Sequence, residues 1–255
     1  MLKKILLCRI IPAASPWRRL LRCLLPGLAA AGWLLSAGYA QGAGVPPSTG
    51  AVPAERQHLL GHDQRMILID AGHGGIDGGT SYGSILEKDI TLGISRKLFL
   101  MLRSDGFGAI LNRLGDYAPS DDNRWLRSSS RHMRDLAQRK ELAETIQAAV
   151  VVSIHINWAP SPAKHGPLVL YRQEGRSFLL AQSLQEQLNR LYQTDALTRP
   201  GKPFYLLNKI TAPTVIVEAG FISSPVDRAQ LCSSKGQQRI AEAIADGIIA
   251  YLMEV

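Results

Sequence analysis

Three short, nearly continuous apolar runs constrain the fold of this 255-residue chain more than any other feature. They are the residues Met66–Asp70, Val150–Ile154 and Val215–Val217. Runs of this length that lack polar alternation are typical of strands buried on both faces of a sheet. Such strands need helices to cover them on each side, so the sequence between the runs should be helical.

That expectation is met by apolar residues at helical spacing between the runs. The pattern predicts helices over Glu87–Arg103, Met133–Ala149, Gly175–Tyr192 and Gln237–Met253, and further strands at Ala109–Leu111 and Leu168–Tyr171. A Gly-rich loop covers 71–83 and a polar loop covers 115–131. Strands that alternate with helices predict an α/β fold: a single domain with a mostly parallel, twisted sheet flanked by helices, like the phosphorylase/hydrolase folds.

The N-terminal segment has the composition of a leader. Residues 1–40 hold six basic side chains and no acidic one, and an apolar run over residues 23–40 ends in small residues. This predicts a signal peptide cleaved after Ala40, with an uncleaved membrane anchor through residues 23–40 as the alternative. Residues 41–64 are expected to be a flexible linker and residues 65–255 the globular domain, working outside the cytoplasm.

Charge and cysteine content exclude two classes of protein. The net charge is +8, but beyond residue 40 the basic and acidic side chains number 23 and 21, so a nucleic-acid partner is not expected. Cys8 and Cys23 lie in the leader, which leaves Cys232 alone in the mature chain and precludes an internal disulfide. We expect Cys232 to be an inert, partly buried thiol.

Residues that can bind a metal or transfer a proton lie at or just after the ends of three predicted strands. His73 follows the first, His155 ends the third and Glu218 ends the last, while Glu87 opens the first helix. The carboxyl ends of parallel strands face one ligand-binding edge. Two histidines and one carboxylate compose a typical catalytic zinc site. The residues alone do not decide between Glu87 and Glu218 as the ligand, nor do they exclude Asp70 or Asp77.

Other interpretations apply to the same residues. A single histidine at a strand end is more often a hydrogen-bonded structural residue, and Glu87 can be an ordinary acidic helix start. The loop from Gly72 to Gly79 lacks the third glycine of a dinucleotide fingerprint. Glu218 lies in an apolar context, which favours either a functional role or an ion pair with a residue such as Arg113.

The remaining charged residues suggest surface roles. The basic stretch 124–140 is either a solvated face with structural ion pairs or a contact surface for an anionic wall polymer. We expect the histidines outside the candidate site to be solvent-exposed, in loops or in the linker. They are His58, His62, His132 and His165.

Four sequence blocks, in order, resemble those of the zinc-dependent N-acetylmuramoyl-L-alanine amidases of the amidase-3 type. The blocks are Ile69–Gly79, Glu87–Asp89, Ser153–Asn157 and Val217–Pro225. Together they span the globular part of the chain, and the combination is far more specific than any block alone.

The resemblance implies a single α/β domain with one zinc ion. It implies that His73, Glu87 and His155 are the metal ligands and that Glu218 is the catalytic glutamate. The implied reaction hydrolyses the amide between the lactyl group of N-acetylmuramic acid and L-alanine of the peptidoglycan stem peptide. A zinc peptidase acting on wall peptides is the alternative, and a non-catalytic peptidoglycan-binding protein is a more distant one.

The spacing of the last two blocks resembles one branch of the family. Only 62 residues separate His155 from Glu218, which leaves no room for the blocking helix of the division amidases. The chain is more similar to the compact CwlD-type amidases of spore formers, which implies a role in spore-cortex muramic-lactam formation, sporulation and germination. Trp158 stands where the family usually has alanine, and we expect it to narrow the groove or to stack on sugar or peptide. Targeting to the wall is expected to come from the anchor, the catalytic groove or a regulatory protein partner.

Overall fold

The computed structural model describes residues 65–121 and 128–255. The predicted leader and linker lie outside the described residues, as do His58, His62, Arg124 and Arg127. The described residues all belong to one compact unit. Among the helices of these residues, none is both long enough and apolar enough to cross a bilayer.

Eight strands and six helices follow one another along the described chain. The strands are β1 (Met66–Ala71), β2 (Ser81–Tyr82), β3 (Ile85–Leu86), β4 (Gly108–Leu111), β5 (Val150–Asn157), β6 (Leu168–Tyr171), β7 (Arg199–Pro200) and β8 (Thr214–Phe221). The helices are α1 (Glu87–Ser104), α2 (Arg131–Thr145), α3 (Gly175–Tyr192), α4 (Tyr205–Lys209), α5 (Pro225–Leu231) and α6 (Ser234–Glu254). A short 3₁₀ turn covers Pro119–Asp121.

Six of the strands form one sheet, in the order β4-β1-β5-β8-β6-β7. The first four are parallel, and β6 runs antiparallel to β8. The predicted α/β fold with a mostly parallel sheet is therefore confirmed. The central strands β1, β5 and β8 all end at the same edge of the sheet, and all three carry candidate site residues.

Alternate residues of the central strands pack on opposite faces, as a two-residue period requires. On β1, Ile67 and Ile69 belong to the larger core, which α1, α3 and α6 cover. Leu68 belongs to a smaller core on the other face, together with Leu206 of α4. α4 is therefore fixed to the sheet by its apolar side.

Several elements were not expected from the sequence. The β2–β3 hairpin, β7, α4 and α5 are too short to give a periodic pattern. The prediction that His132 lies in a loop is wrong: it is exposed, but it lies in α2, because Ser130 caps a helix that begins at Arg131. The prediction of a partly buried Cys232 is also wrong, because this residue follows the last turn of α5 and is exposed. His165 is exposed, as expected.

Candidate metal centre

The loop after β1 presents His73 in a left-handed backbone conformation. Its φ is +59°, which is unusual for a residue other than glycine. Two buried arginines hold this loop by its carbonyl oxygens. Arg139 of α2 donates to the carbonyls of Ala71 and His73 at 2.8 and 2.7 Å. Arg113 donates to those of Ala71 and Gly72 at 3.1 and 3.0 Å.

Glu87, the first residue of α1, joins the two histidines. Its Oε1 lies 3.1 Å from His73 Nε2 and 3.0 Å from His155 Nδ1. The same oxygen accepts a hydrogen bond from the N–H of Ile156 at 2.9 Å, and Oε2 accepts one from the N–H of Thr80 at 2.7 Å. The carboxylate is almost fully buried, and backbone donors from two different segments fix its position.

Two glycines leave room for this cluster. A Cβ atom on Gly72 would lie 2.5 Å from the ring of His155. A Cβ atom on Gly79 would lie 2.5 Å from Oε2 of Glu87, and Gly79 also has a φ of +67°. Such contacts are too short for any other residue, so glycine is required at both positions.

The cluster has the composition and the closeness of a metal centre. One potential ligand atom from each of His73, Glu87 and His155 lies within 4.8 Å of the other two. The rings of the two histidines are 4.9 Å apart at an angle of 80°. Two imidazoles and one carboxylate are the donor set of many catalytic zinc sites, in which a fourth position is left for water or substrate. These residues therefore fit a zinc ion.

Electrostatics hold the cluster in opposite charge states when no cation is bound. Burial alone would raise the pKa of Glu87, but hydrogen bonds and charge from His155 and His73 lower it strongly. Burial would lower the pKa of His73, but Glu87 and Asp77 raise it to about 9. Glu87 is therefore held as the carboxylate, the form in which it can bind a cation.

Glu218 faces the same site from β8. It is paired in register with His155 on the adjacent strand β5. Its Oε2 is buried and has no hydrogen-bond partner within the described residues. Burial raises the pKa of this carboxyl, the charge of Glu87 raises it further, and His155 opposes the shift. A carboxyl with a raised pKa beside a candidate metal centre is suited to general acid–base chemistry.

The other acidic candidates have different roles. Asp77 hydrogen bonds through Oδ2 to His73 Nδ1 at 2.9 Å, so it orients the ring. Asp70 lies beneath the loop, where it is paired with Arg139 at 2.7 Å and accepts a hydrogen bond from Ser153. It is therefore not part of the cluster.

Of the two alternatives for Glu218, the ion pair with Arg113 does not form. Arg113 is fully buried and donates hydrogen bonds to backbone carbonyls of the loop after β1 and of α1.

The basic stretch 124–140 contains at least one structural ion pair, as expected if it is a solvated face with structural ion pairs. Arg139, within it, is buried and bonded to Asp70 and Asp135.

A cleft of about 700 Å³ opens above the cluster, a volume typical of ligand sites. Its floor holds the two histidines, Glu87 and Glu218. Its walls come from α2 and from the segment that forms α4, and they are mainly apolar. The wall residues are His132, Met133, Leu136, Pro203, Phe204, Tyr205, Leu206, Asn208 and Lys209. These walls were not predicted from the sequence; the apolar residues Met133 and Leu136, three positions apart on α2, were the available signal, and in the structure Met133 is exposed and Leu136 is half-buried.

Comparisons with known proteins identify the family of this chain. The family model described as N-acetylmuramoyl-L-alanine amidase, amidase 3, matches residues 67–250. The germination-specific N-acetylmuramoyl-L-alanine amidase of Bacillus subtilis is 32% identical over an alignment of 194 positions, which covers 74% of this chain and 81% of that protein.

Solved structures give the same result. The CwlD amidase of Clostridioides difficile, solved in complex with the GerS lipoprotein, is 32% identical with a TM-score of 0.70, covering 75% of this chain and all of that one. The amidase AmiC2 of Nostoc punctiforme is 32% identical with a TM-score of 0.63, covering 74% of this chain and 97% of that one. The chain therefore belongs to the amidase-3 family of N-acetylmuramoyl-L-alanine amidases, the enzymes that act on peptidoglycan.

Proposed function

We propose that this amidase is zinc-dependent, with His73, Glu87 and His155 as the ligands and Glu218 as the catalytic acid–base. The bond cleaved is the amide between the lactyl carbonyl of N-acetylmuramic acid and the nitrogen of L-alanine. The observation that carries this proposal is the unpaired, buried Oε2 of Glu218 beside the cluster of His73, Glu87 and His155. A buried carboxylate oxygen without a partner is costly unless a ligand or a proton occupies it.

The residues divide the chemistry between them. A zinc ion, when bound, supplies Lewis acidity, which makes water more acidic and a carbonyl more electrophilic. Glu218 takes a proton from the attacking water and then delivers it to the nitrogen of the departing L-alanine. The raised pKa of Glu218 suits both steps, because the carboxyl must accept a proton and later release it. Gly72 and Gly79 leave the room that His155 and Glu87 need to lie close together.

The biological setting is the second part of the proposal. We infer that the enzyme works outside the cytoplasm, delivered by the predicted leader in residues 1–40, because peptidoglycan lies there. Its similarity to a germination-specific amidase and to a CwlD amidase supports a role in the spore cortex, where it would create the substrate for muramic-lactam formation. The GerS complex of the latter protein supports a regulatory lipoprotein partner for this chain too.

The first experiment digests purified peptidoglycan with residues 65–255, with and without chelation of zinc. Mass analysis of the products identifies the bond. Zinc-dependent release of intact stem peptides that begin with a free L-alanine amine is expected. Shortened stem peptides would instead identify a zinc peptidase at the same site, the alternative function.

A genetic complementation tests the spore-cortex role separately. The full chain is expressed in a spore former that lacks its own germination-specific amidase, and the muramic-lactam content of the cortex is measured. Restoration of muramic lactam by the wild type, and not by the Glu218→Gln variant, is expected. An active amidase that leaves the cortex unchanged would limit the proposal to general wall hydrolysis.

A further inference from the structure

The walls of the cleft are mainly apolar. Met133 and Leu136 of α2 and Phe204 of the opposite segment give an apolar surface, and Met133 and Phe204 are 37% and 38% exposed. The sugar half of the substrate is neutral and rich in hydroxyl groups. The stem peptide, which begins with the methyl group of L-alanine, carries free carboxylates further on.

One permanent positive charge faces this cleft. Lys209 is the only lysine or arginine among the described residues that line it. Its side chain is exposed, and the described part of the chain offers no ion pair or hydrogen bond to its ammonium group. The acidic side chains that line the cleft are Glu87 and Glu218, both on the floor, so nothing on the walls neutralises Lys209.

The backbone that carries Lys209 is held in place. Leu206 and Leu207 of α4 are buried against the sheet. The carbonyl of Ile210, which follows Lys209, accepts a hydrogen bond from Arg172 at 2.8 Å. Because the backbone of α4 is fixed in this way, Lys209 carries its charge at a defined position beside the cleft.

We propose that the cleft between α2 and α4 receives the stem peptide and that Lys209 pairs with a carboxylate of that peptide. The glycan then leaves the metal centre on the opposite side. Lys209 is a specificity-determining residue, and this inference rests on the proposed amidase function. An ammonium group is a compact charge that pairs with a single carboxylate without demanding a fixed geometry, which suits a flexible peptide.

The test uses soluble, uncross-linked peptidoglycan strands in two forms. One form is untreated, and in the other the stem carboxylates are converted to carboxamides. Initial rates are measured for the zinc-loaded wild type and for Lys209→Gln, Lys209→Arg and Lys202→Gln. Lys202 is a matched control because it is exposed in the same segment and does not line the cleft.

On untreated strands, Lys209→Gln should raise KM about three- to tenfold and leave kcat within about twofold, since a partly exposed pair of charges is lost. On amidated strands the same variant should match the wild type within about twofold. Lys209→Arg should keep most of the affinity, and Lys202→Gln should resemble the wild type on both forms.

The outcomes separate this inference from the proposed function. An unchanged KM for Lys209→Gln, or an equal change on both kinds of strand, would overturn the carboxylate contact while the amidase stands. If the wild type released no stem peptide from untreated strands, the proposed function itself would fail, and this inference with it.

Discussion

Arg139 donates a hydrogen bond from Nη2 to the backbone carbonyl of His73 at a distance of 2.7 Å. The same side chain reaches Asp70 and Asp135, both at 2.7 Å, and it is almost completely buried. Helix α2 is thus tied to His73, a candidate metal ligand whose backbone is in the left-handed conformation. The guanidinium has five donors in a rigid plane, so it can satisfy carboxylates and backbone carbonyls at once.

Replacing Arg139 by methionine should destabilise the domain by about 3–5 kcal/mol, because the carboxylate of Asp70 would remain buried without its partner. Urea unfolding in the presence of a chelator measures the loss without a metal contribution. Arg190→Met is the matched control, because the pair of Arg190 with Glu186 is about two-thirds exposed. That control should lose at most about 1 kcal/mol. A loss for Arg139→Met as small as that of the control would show that the buried network contributes little.

The contribution of Asp70 to stability should depend on pH. Burial alone would raise the pKa of its carboxyl, but the charge of Arg139 and the hydrogen bond from Ser153 lower it below 3.8. Because the folded-state pKa is below the unfolded one, the stabilisation is complete above about pH 4 and is lost as the pH falls through the folded value. The difference in unfolding free energy between wild type and Asp70→Asn should therefore be constant from about pH 8 to 5 and shrink below pH 4. Urea titrations at several pH values test this, and a difference that shrinks already at pH 6 would contradict it.

The sheet and its long helices could be predicted from the sequence because their signals are local. The apolar run of β1 and the helical spacing in α1 are read directly from neighbouring residues, and both elements lie within a few residues of the predicted bounds. The pairing of β6 against β8 and the five-residue helix α4 depend on long-range packing, for which no local pattern exists.

In the candidate site too, some residues could be placed from local sequence signals and others depend on long-range contacts. His73, His155 and Glu218 could be placed at one edge because each ends or follows a central strand, and the position of Glu87 against both histidines agrees with the family resemblance. The role of Arg139 could not be predicted, because its partners Asp70 and His73 are more than 60 residues away in the chain. An arginine in a basic stretch ordinarily belongs to a solvated face.

Asp77→Asn should weaken zinc binding by about 10- to 100-fold, the usual cost of losing a carboxylate that orients a histidine ligand. The amide still fits beside His73 Nδ1 but carries no charge to fix the orientation of the ring. Competition with a chromophoric chelator measures the affinity directly. Asp195→Asn serves as the control, because Asp195 is exposed and does not belong to the cluster. Equal affinities for the two variants would mean that Asp77 does not orient the ligand.

Gly72→Ala should weaken zinc binding by about tenfold or more, since its methyl group would displace the ring of His155. The matched control is Gly175→Ala, where an added Cβ meets no atom within 4 Å. That control should keep full zinc affinity and gain up to about 1 kcal/mol in unfolding free energy from the less flexible unfolded chain. Chelator competition and urea unfolding on both variants separate ligand displacement from general destabilisation. Normal zinc affinity in Gly72→Ala would show that His155 can move aside without cost.

Glu218→Gln should bind zinc stoichiometrically yet lose about 100- to 10,000-fold in turnover, because the amide can neither accept nor deliver the proton. His155→Ala should instead lose zinc and activity together, since it removes a ligand. His155 and Glu218 are paired in register on β5 and β8. If either substitution acted only by distorting the sheet, both variants would lose zinc and turnover to a similar degree. Glu186→Gln, at an exposed position on α3, controls for the loss of one negative charge. Metal analysis and initial rates of stem-peptide release distinguish the roles, and turnover near that of the wild type in Glu218→Gln would place the acid–base group on another residue.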